Sequence, residues 1–300
     1  ITEIEKVSDK ETASKLEGQI KSMAASIPLA QKEIAKLASD AARFGVEGSK
    51  NIEQFTRTVA KMSFTTDLSA QEAGKSLAKI ADQTDTPISE IDRHGSTIVK
   101  LGDSMATSQK EIVDSMSRGA IAARNFGLSG ESIAGLSARI NEVSESSERA
   151  GTRLRRVFQE LQEPKKVQKV ASALGMTSDE FRAMRKESPE KALMAVVDAI
   201  EKGGAKGREM ANIFATSSRA ALRGLASDSG ALRESLAKAS SEFESASELN
   251  RQFSKQTETF NAKLQMAFNR LRNVGITIGN ILMPHVLNLI SGIKRAATVL

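Results

Sequence analysis

The sequence predicts an all-α fold, a helical bundle of short capped helices flanked by long heptad-patterned, coiled-coil-like helices. Three observations carry this expectation. No stretch alternates apolar and polar residues with β-branched or aromatic enrichment over a useful length, which leaves strands without support. Apolar residues instead recur at steps of three and four at both ends of the chain, the spacing that keeps one stripe on one helix face. Between the ends, helix-start signals repeat. Ser69 with Glu72 and Thr177 with Glu180 fit capping boxes, in which the hydroxyl satisfies one orphan N–H and the carboxylate returns to another.

The first segment is 1–45. Ala13, Leu16, Ile20, Met23, Ile27, Ala30, Ile34, Leu37, Ala41 and Phe44 keep the three-four spacing, and Leu16, Ile20, Met23, Ile34, Leu37 and Phe44 form the expected N-terminal heptad seam. Pro28 interrupts it, so a break is expected there, with Ser26 as N-cap of a new helix and Pro28 in its first turn.

The segment 46–246 is expected to be a core of helices ten to twenty residues long. Asp67-Leu68-Ser69, Gly127-Leu128-Ser129 and Gly175-Met176-Thr177 read as one device, a turn followed by an apolar staple and a cap. Thr86-Pro87-Ile88-Ser89, and Thr107-Ser108 before Glu111, start further helices. Their unequal spacing argues against a regular solenoid.

The last segment, 247–300, reads as a heptad helix running into an apolar stretch. Its seam is Phe253, Phe260, Leu264, Ala267, Leu271, Val274, Ile278 and Ile281, the expected self-association face. From Asn273 to Ile293 the chain carries no formal charge. Within this run Gly275, Ile276, Gly279, Leu282, Met283, Pro284, Leu287 and Ile290 are the expected partner or membrane residues. The length suits a bilayer span of about 20 residues. Asn273, Asn280, Pro284, His285 and Asn288 argue instead for a segment packed against other copies of itself, because buried amides need partners.

Composition narrows the function classes. There is no Trp or Tyr, so the core must be built from aliphatic residues and eleven Phe. Zero Cys excludes disulfides, thiolate zinc and thiol nucleophiles, and two His leave little for imidazole ligation. The net charge of +6 comes from 43 basic and 37 acidic residues that are mostly interspersed, as on solvated helix faces. The first residue is Ile1, with no signal-peptide pattern after it, and the pattern at Ala296–Leu300 stops midway, so a piece of a longer chain is expected.

Candidate chemistry is thin. Gly203-Gly204-Ala205-Lys206-Gly207 lacks phosphate-loop spacing and reads as a helix C-cap and flexible turn. Arg153, Arg155, Arg156 and Lys165, Lys166, Lys169 flank the Leu154, Val157, Phe158, Leu161 stripe of an amphipathic helix. Glu142 with Glu145 and Glu242 with Glu244 sit in Ser-rich polar stretches, unlike a paired-carboxylate site. His94 reads as a surface turn residue beside Gly95. The expectation is no catalytic residue, no cofactor, no metal and no small-molecule substrate.

The order of motifs resembles the conserved core of phage tail tape measure proteins, of the lactococcal-siphophage and myophage type, over about residues 40–290. The resemblance rests on Leu68-Ser69 then Ala73; Phe126-Gly127-Leu128-Ser129 then Ile133-Ala134-Gly135-Leu136; and Glu148-Arg149-Ala150-Gly151-Thr152-Arg153-Leu154 with Phe158 and Leu161. It continues through Ala173-Leu174-Gly175-Met176, Ser188-Pro189 before Leu193, and Ile278-Gly279 then Leu282-Met283-Pro284. One departure is Phe214-Ala215-Thr216, where relatives often carry Gly after the aromatic.

The resemblance implies a virion structural protein in the lumen of the phage tail that sets tail length as the tube polymerises around it, and that assists genome delivery across the host envelope. It implies partners among tail tube and tail tip or baseplate proteins, a homo-oligomer expected as a trimer, and contact with the host membrane and passing phage DNA during infection. The alternative is a membrane-active helical protein, pore-forming or toxin-like, without a ruler role.

Overall fold

The computed structural model describes residues 10–259, 261–275 and Met283. Among them the chain is helical and contains no strand. In order the helices are α1 (Lys10–Ser26), α2 (Gln31–Arg43), α3 (Ser49–Thr65), α4 (Ala70–Thr84), a 3-10 turn (Ile88–Glu90), α5 (Ile91–Ser104), α6 (Gln109–Phe126), α7 (Gly130–Glu142) and α8 (Ser147–Glu160). There follow α9 (Pro164–Leu174), α10 (Ser178–Glu187), α11 (Pro189–Glu201), α12 (Gly204–Asn212), α13 (Thr216–Ala226), α14 (Ser229–Ser245) and α15 (Glu248–Thr257). Residues 261–275 are again helical.

Helix boundaries follow local chemistry. The hydroxyls of Ser69, Ser108 and Thr177 accept from the N–H three residues on, at 3.3, 3.2 and 3.2 Å, while Glu72, Glu111 and Glu180 accept from the cap N–H at 3.0, 2.8 and 2.6 Å. Each such cap is worth about 1 kcal/mol. At the other ends, Gly127 and Gly175 adopt the left-handed conformation with φ of 118° and 75°. The turn brings the N–H of Leu128 to Ala123 O and of Met176 to Ala171 O, at 3.1 and 3.0 Å, satisfying carbonyls the helix leaves open. The staple reading of these tripeptides is thus a C-cap and an N-cap sharing one apolar residue, and Leu128 is buried.

The break near Pro28 is present but is built differently from the expectation. Ser26 is the last residue of α1, not an N-cap, and its Oγ donates back to Met23 O at 3.2 Å. A proline disfavours helical geometry in the residue before it, so the helix stops short of Pro28 rather than beginning around it. Helix α2 starts behind Ala30, whose N–H donates to the Glu33 carboxylate at 2.9 Å.

A single apolar cluster runs from Ala13 to Leu249 and draws on every helix from α1 to α15. Helices α6 and α8 pack most intimately, because Gly119 and Gly151 face each other's helix. A Cβ on Gly119 would lie 2.9 Å from Leu154 Cδ2, and one on Gly151 2.6 Å from Ser115 O. Phe126 and Phe158 meet beside this crossing with ring centroids 5.1 Å apart. Helix α5 is the central element, buried on most of its surface and packed against α3, α7 and α14. The chain returns through α14, which lies on α5 and α7, and α15, which lies on α3 and α5.

Candidate assembly interface

The chain leaves the bundle through a clamp that sequence reading missed. Glu242, near the end of α14, is buried, and its Oε1 accepts from Ser96 Oγ at 2.6 Å and from the N–H groups of Ser247 and Glu248 at 2.7 Å each. A carboxylate borrowed from α14 therefore caps α15, where the helix dipole favours negative charge. Ser96 Oγ in turn accepts from Leu249 N–H at 3.0 Å. Further along α15, Lys61 reaches Asn250 and Gln252 reaches Asp103, both at 2.6 Å, and Phe253 meets Phe64 edge-on at 5.9 Å. Arg251, bonded to the buried Glu248, holds that carboxyl below its usual range against the opposing effect of burial. Asp103 is pushed the other way by burial and by the nearby Glu248.

Glu160 and Glu201 repeat the device. Glu160, buried on α8, accepts from Ala215 N–H at 3.0 Å and Ser218 Oγ at 2.6 Å, so it caps α13, whose own N-cap is an alanine. Burial opposes its ionisation, yet Lys166, Ser218 and Ala215 together hold its pKa below the usual carboxylate range. Glu201 accepts from Ser229 Oγ and N–H at the start of α14, at 2.6 and 3.2 Å. The Ser-rich context of Glu242 suggested a polar stretch, but a hydroxyl- and N–H-lined site lets a carboxylate be buried.

Beyond the clamp, the expected continuous heptad helix from Phe253 is instead two helices. Helix α15 ends at Thr257, and Phe253 packs on the bundle. The 261–275 helix then docks on α1 through its polar side. Asn269, buried, donates from Nδ2 to Ala24 O and Leu29 O at 2.9 Å each, Arg270 Nε donates to Ala25 O at 3.1 Å, and Asn273 Nδ2 donates to Lys21 O at 3.2 Å. The carbonyls of Ala24 and Ala25 belong to the last turn of α1, which has no intrahelical donors left for them. The docking thus satisfies orphan acceptors, and Ala262 on the same helix is buried.

The consequence is an amphipathic helix with its apolar side in water. Leu264 (43% exposed), Phe268 (59%), Leu271 (67%) and Val274 (57%) face outward, with Ala267 and Gly275 on the same exposed side. Met283 is also exposed. The expected seam and apolar residues Phe260, Ile276, Ile278, Gly279, Ile281, Leu282, Pro284, Leu287 and Ile290 lie outside the described residues. Phe268 is absent from the expected seam because strict heptad counting passed over it. The N-terminal seam meets a different fate: Leu16, Ile20, Met23, Ile34 and Leu37 are buried in the chain's own core, and Phe44 alone is exposed. That stripe is already covered by the chain itself.

Three further expectations are corrected or refined. His94 is no surface turn residue; it is buried in α5, with Nε2 2.9 Å from Thr86 Oγ1 and its ring 5.0 Å from Phe243. The flanking Asp92 and Arg93 are the half-exposed side of the same helix, which misled the reading. Burial pushes the imidazole pKa down to about 4, so it is neutral at pH 7. In Gly203–Gly207 only Gly203 stands outside a helix; Gly204 to Gly207 are already the first turn of α12. Arg155, Arg156, Lys165 and Lys169 are exposed beside a buried Leu154, Val157 and Phe158 stripe. Among the described residues no group of three or more His, Asp or Glu is placed to hold a metal ion, and no helix is long and apolar enough to cross a membrane.

Residues 17–216 match the family of phage-related minor tail proteins, two thirds of the chain. The chain belongs to that family. It is therefore a phage tail protein, a component of the virion that associates with other tail components. No curated protein and no solved structure matches the sequence. The minor tail protein match begins within α1 and ends at the first residue of α13, so the clamp at Glu242 and the outward-facing helix 261–275 lie beyond it.

Proposed function

We propose that this minor tail protein is the tape measure of its tail, a non-catalytic structural protein whose extended helical part sets tail length while tube subunits polymerise around it. The observation that carries the proposal is the outward apolar face of Leu264, Phe268 and Leu271. A tail protein that ends a capped bundle in a helix showing its apolar stripe to water needs other chains to cover it. Copies packed along that stripe form a rod, and a helical rod converts residues into length at about 1.5 Å each. Covering each of these large side chains contributes on the order of 1–2 kcal/mol, discounted for their partial exposure. The order of motifs shared with tape measure proteins supports the same reading.

In this reading the homo-oligomer, a trimer, lies in the tail lumen against tube and tip proteins. The charge-free run that overlaps the end of the seam meets the host envelope only when the oligomer is released with the DNA. The test is an in-frame deletion or duplication of heptads in the full gene, with tails measured by electron microscopy. Tails should shorten or lengthen by about 1.5 Å per residue changed. Tails of unchanged length would overturn the ruler role for that region. Leakage of liposomes by the purified chain, without other tail proteins, would favour the membrane-active alternative.

A further inference from the structure

We propose that the groove between α4, α6 and α8 is a docking site for an acidic peptide segment that carries an aliphatic side chain, presented by another tail component. The groove is an open concavity of about 630 Å³, within the range of sites that hold ligands. Helix α6 packs against both α4 and α8, and residues of all three line the groove. The Gly119–Gly151 crossing sets α6 and α8 close, so the lining side chains project from fixed backbones.

The lining is one-signed. Lys79 on α4, Arg118 on α6 and Arg155 on α8 all face it, and no Asp or Glu is among its lining residues. Lys79 and Arg155 have no ion pair among the described residues, and Arg118 has only Glu148 at 3.5 Å, a pair between exposed side chains that is worth little. Three cations converging on one concavity, two of them without an ion pair among the described residues, raise the local concentration of an anionic partner.

Between the cations sits Ile121, 56% exposed on α6. Apart from Phe44 it is the one large apolar side chain that the described residues of α1 to α15 leave in water. An aliphatic side chain beside carboxylates matches that pairing. A nucleic acid does not: no aromatic ring lines the groove for bases to stack on, and Ile121 has no counterpart on a phosphate backbone. The groove lies wholly within the part of the chain that matches the minor tail protein family, and the proposal is independent of the ruler role.

Fluorescence anisotropy of the whole chain with a fluorescein-labelled peptide of alternating Glu and Leu tests this. Probes for comparison are the same peptide with Gln for Glu, and a labelled oligothymidylate. The acidic peptide should bind, the Gln peptide at least about tenfold more weakly. Arg155→Glu and Lys79→Glu should each weaken binding by about tenfold, the effect of one lost charge-assisted contact. Ile121→Ser should weaken it by about threefold or more, while Lys165→Glu, a cation outside the groove, should leave it unchanged. All four side chains are exposed or half-exposed, so circular dichroism should show unaltered folding. Absence of peptide binding would overturn the proposal. So would equal loss with Lys165→Glu, or tighter binding of the oligothymidylate that Arg155→Glu abolishes.

Discussion

Helix α8 and the 261–275 helix carry the same kind of amphipathic pattern turned in opposite directions. In α8, Leu154, Val157 and Phe158 enter the core and Arg155 and Arg156 face water. In 261–275, Leu264, Phe268 and Leu271 face water, while Asn269 and Asn273 face the chain. The difference lies in what the neighbour offers. Helix α6 offers α8 an apolar surface with a glycine at the crossing, so apolar burial drives docking. The end of α1 offers 261–275 carbonyl groups without donors, so amide side chains drive docking, at roughly 1 kcal/mol per hydrogen bond. The bundle buries its own apolar residues, whereas the 261–275 helix leaves Leu264, Phe268 and Leu271 in water.

The sharpest way to break this comparison is to remove one apolar residue from each side of it. Phe158→Ala in α8 should cost about 3–5 kcal/mol in chemical denaturation, because a wholly buried ring leaves a cavity. Phe268→Ser in the outward helix should change the stability of the isolated chain by less than about 0.5 kcal/mol. Comparable losses for the two would mean that Phe268 is covered by the chain's own residues.

His94 extends the test to pH. Its folded pKa of about 4 lies below the ordinary 6.5 because burial disfavours the charged ring. The unfolded chain therefore takes up the proton first as pH falls, so stability is full above about 6.5 and declines toward pH 4, by up to about 3 kcal/mol. His94→Leu should flatten that part of the profile, measured by denaturation at pH 7, 5.5 and 4. Docking of the 261–275 helix uses amides and a guanidinium, so its protection should not share the decline.

A smaller effect is expected at the clamp. Glu242→Gln replaces a carboxylate, one oxygen of which accepts three hydrogen bonds, by a weaker acceptor. It should cost about 1–2 kcal/mol, read as faster hydrogen exchange in α15 while α6 and α8 keep their protection. Uniform loss of protection would mean that α15 and the bundle open together.

Boundaries were largely legible from sequence because caps are local: Ser69, Ser108 and Thr177 each hold their Glu three residues away, and Gly127 and Gly175 need only their own turn. Burial of polar groups was not. Glu160, Glu201, Glu242 and His94 each depend on at least one partner 8 to 146 residues distant, which no local pattern reports. Periodicity also has a limit shown by the two seams. It identifies Leu16 with Ile20 and Leu264 with Leu271 as sharing a face, but it does not say whether the chain itself or another chain covers that face. The break after Thr257 escaped notice for a related reason, since Glu258 and Thr259 are neither Gly nor Pro and three-four spacing can be continued across a short turn by coincidence.

The outward face of the 261–275 helix is the one expected to meet another copy. The chain has no native cysteine, so a single introduced thiol reports its own surroundings. Under mild oxidation Leu271→Cys, on the outward face, should give covalently linked chains in high yield, and Asn269→Cys, on the face held to α1, should give none. Leu271→Cys that stays monomeric, or equal cross-linking at the two positions, would contradict the account.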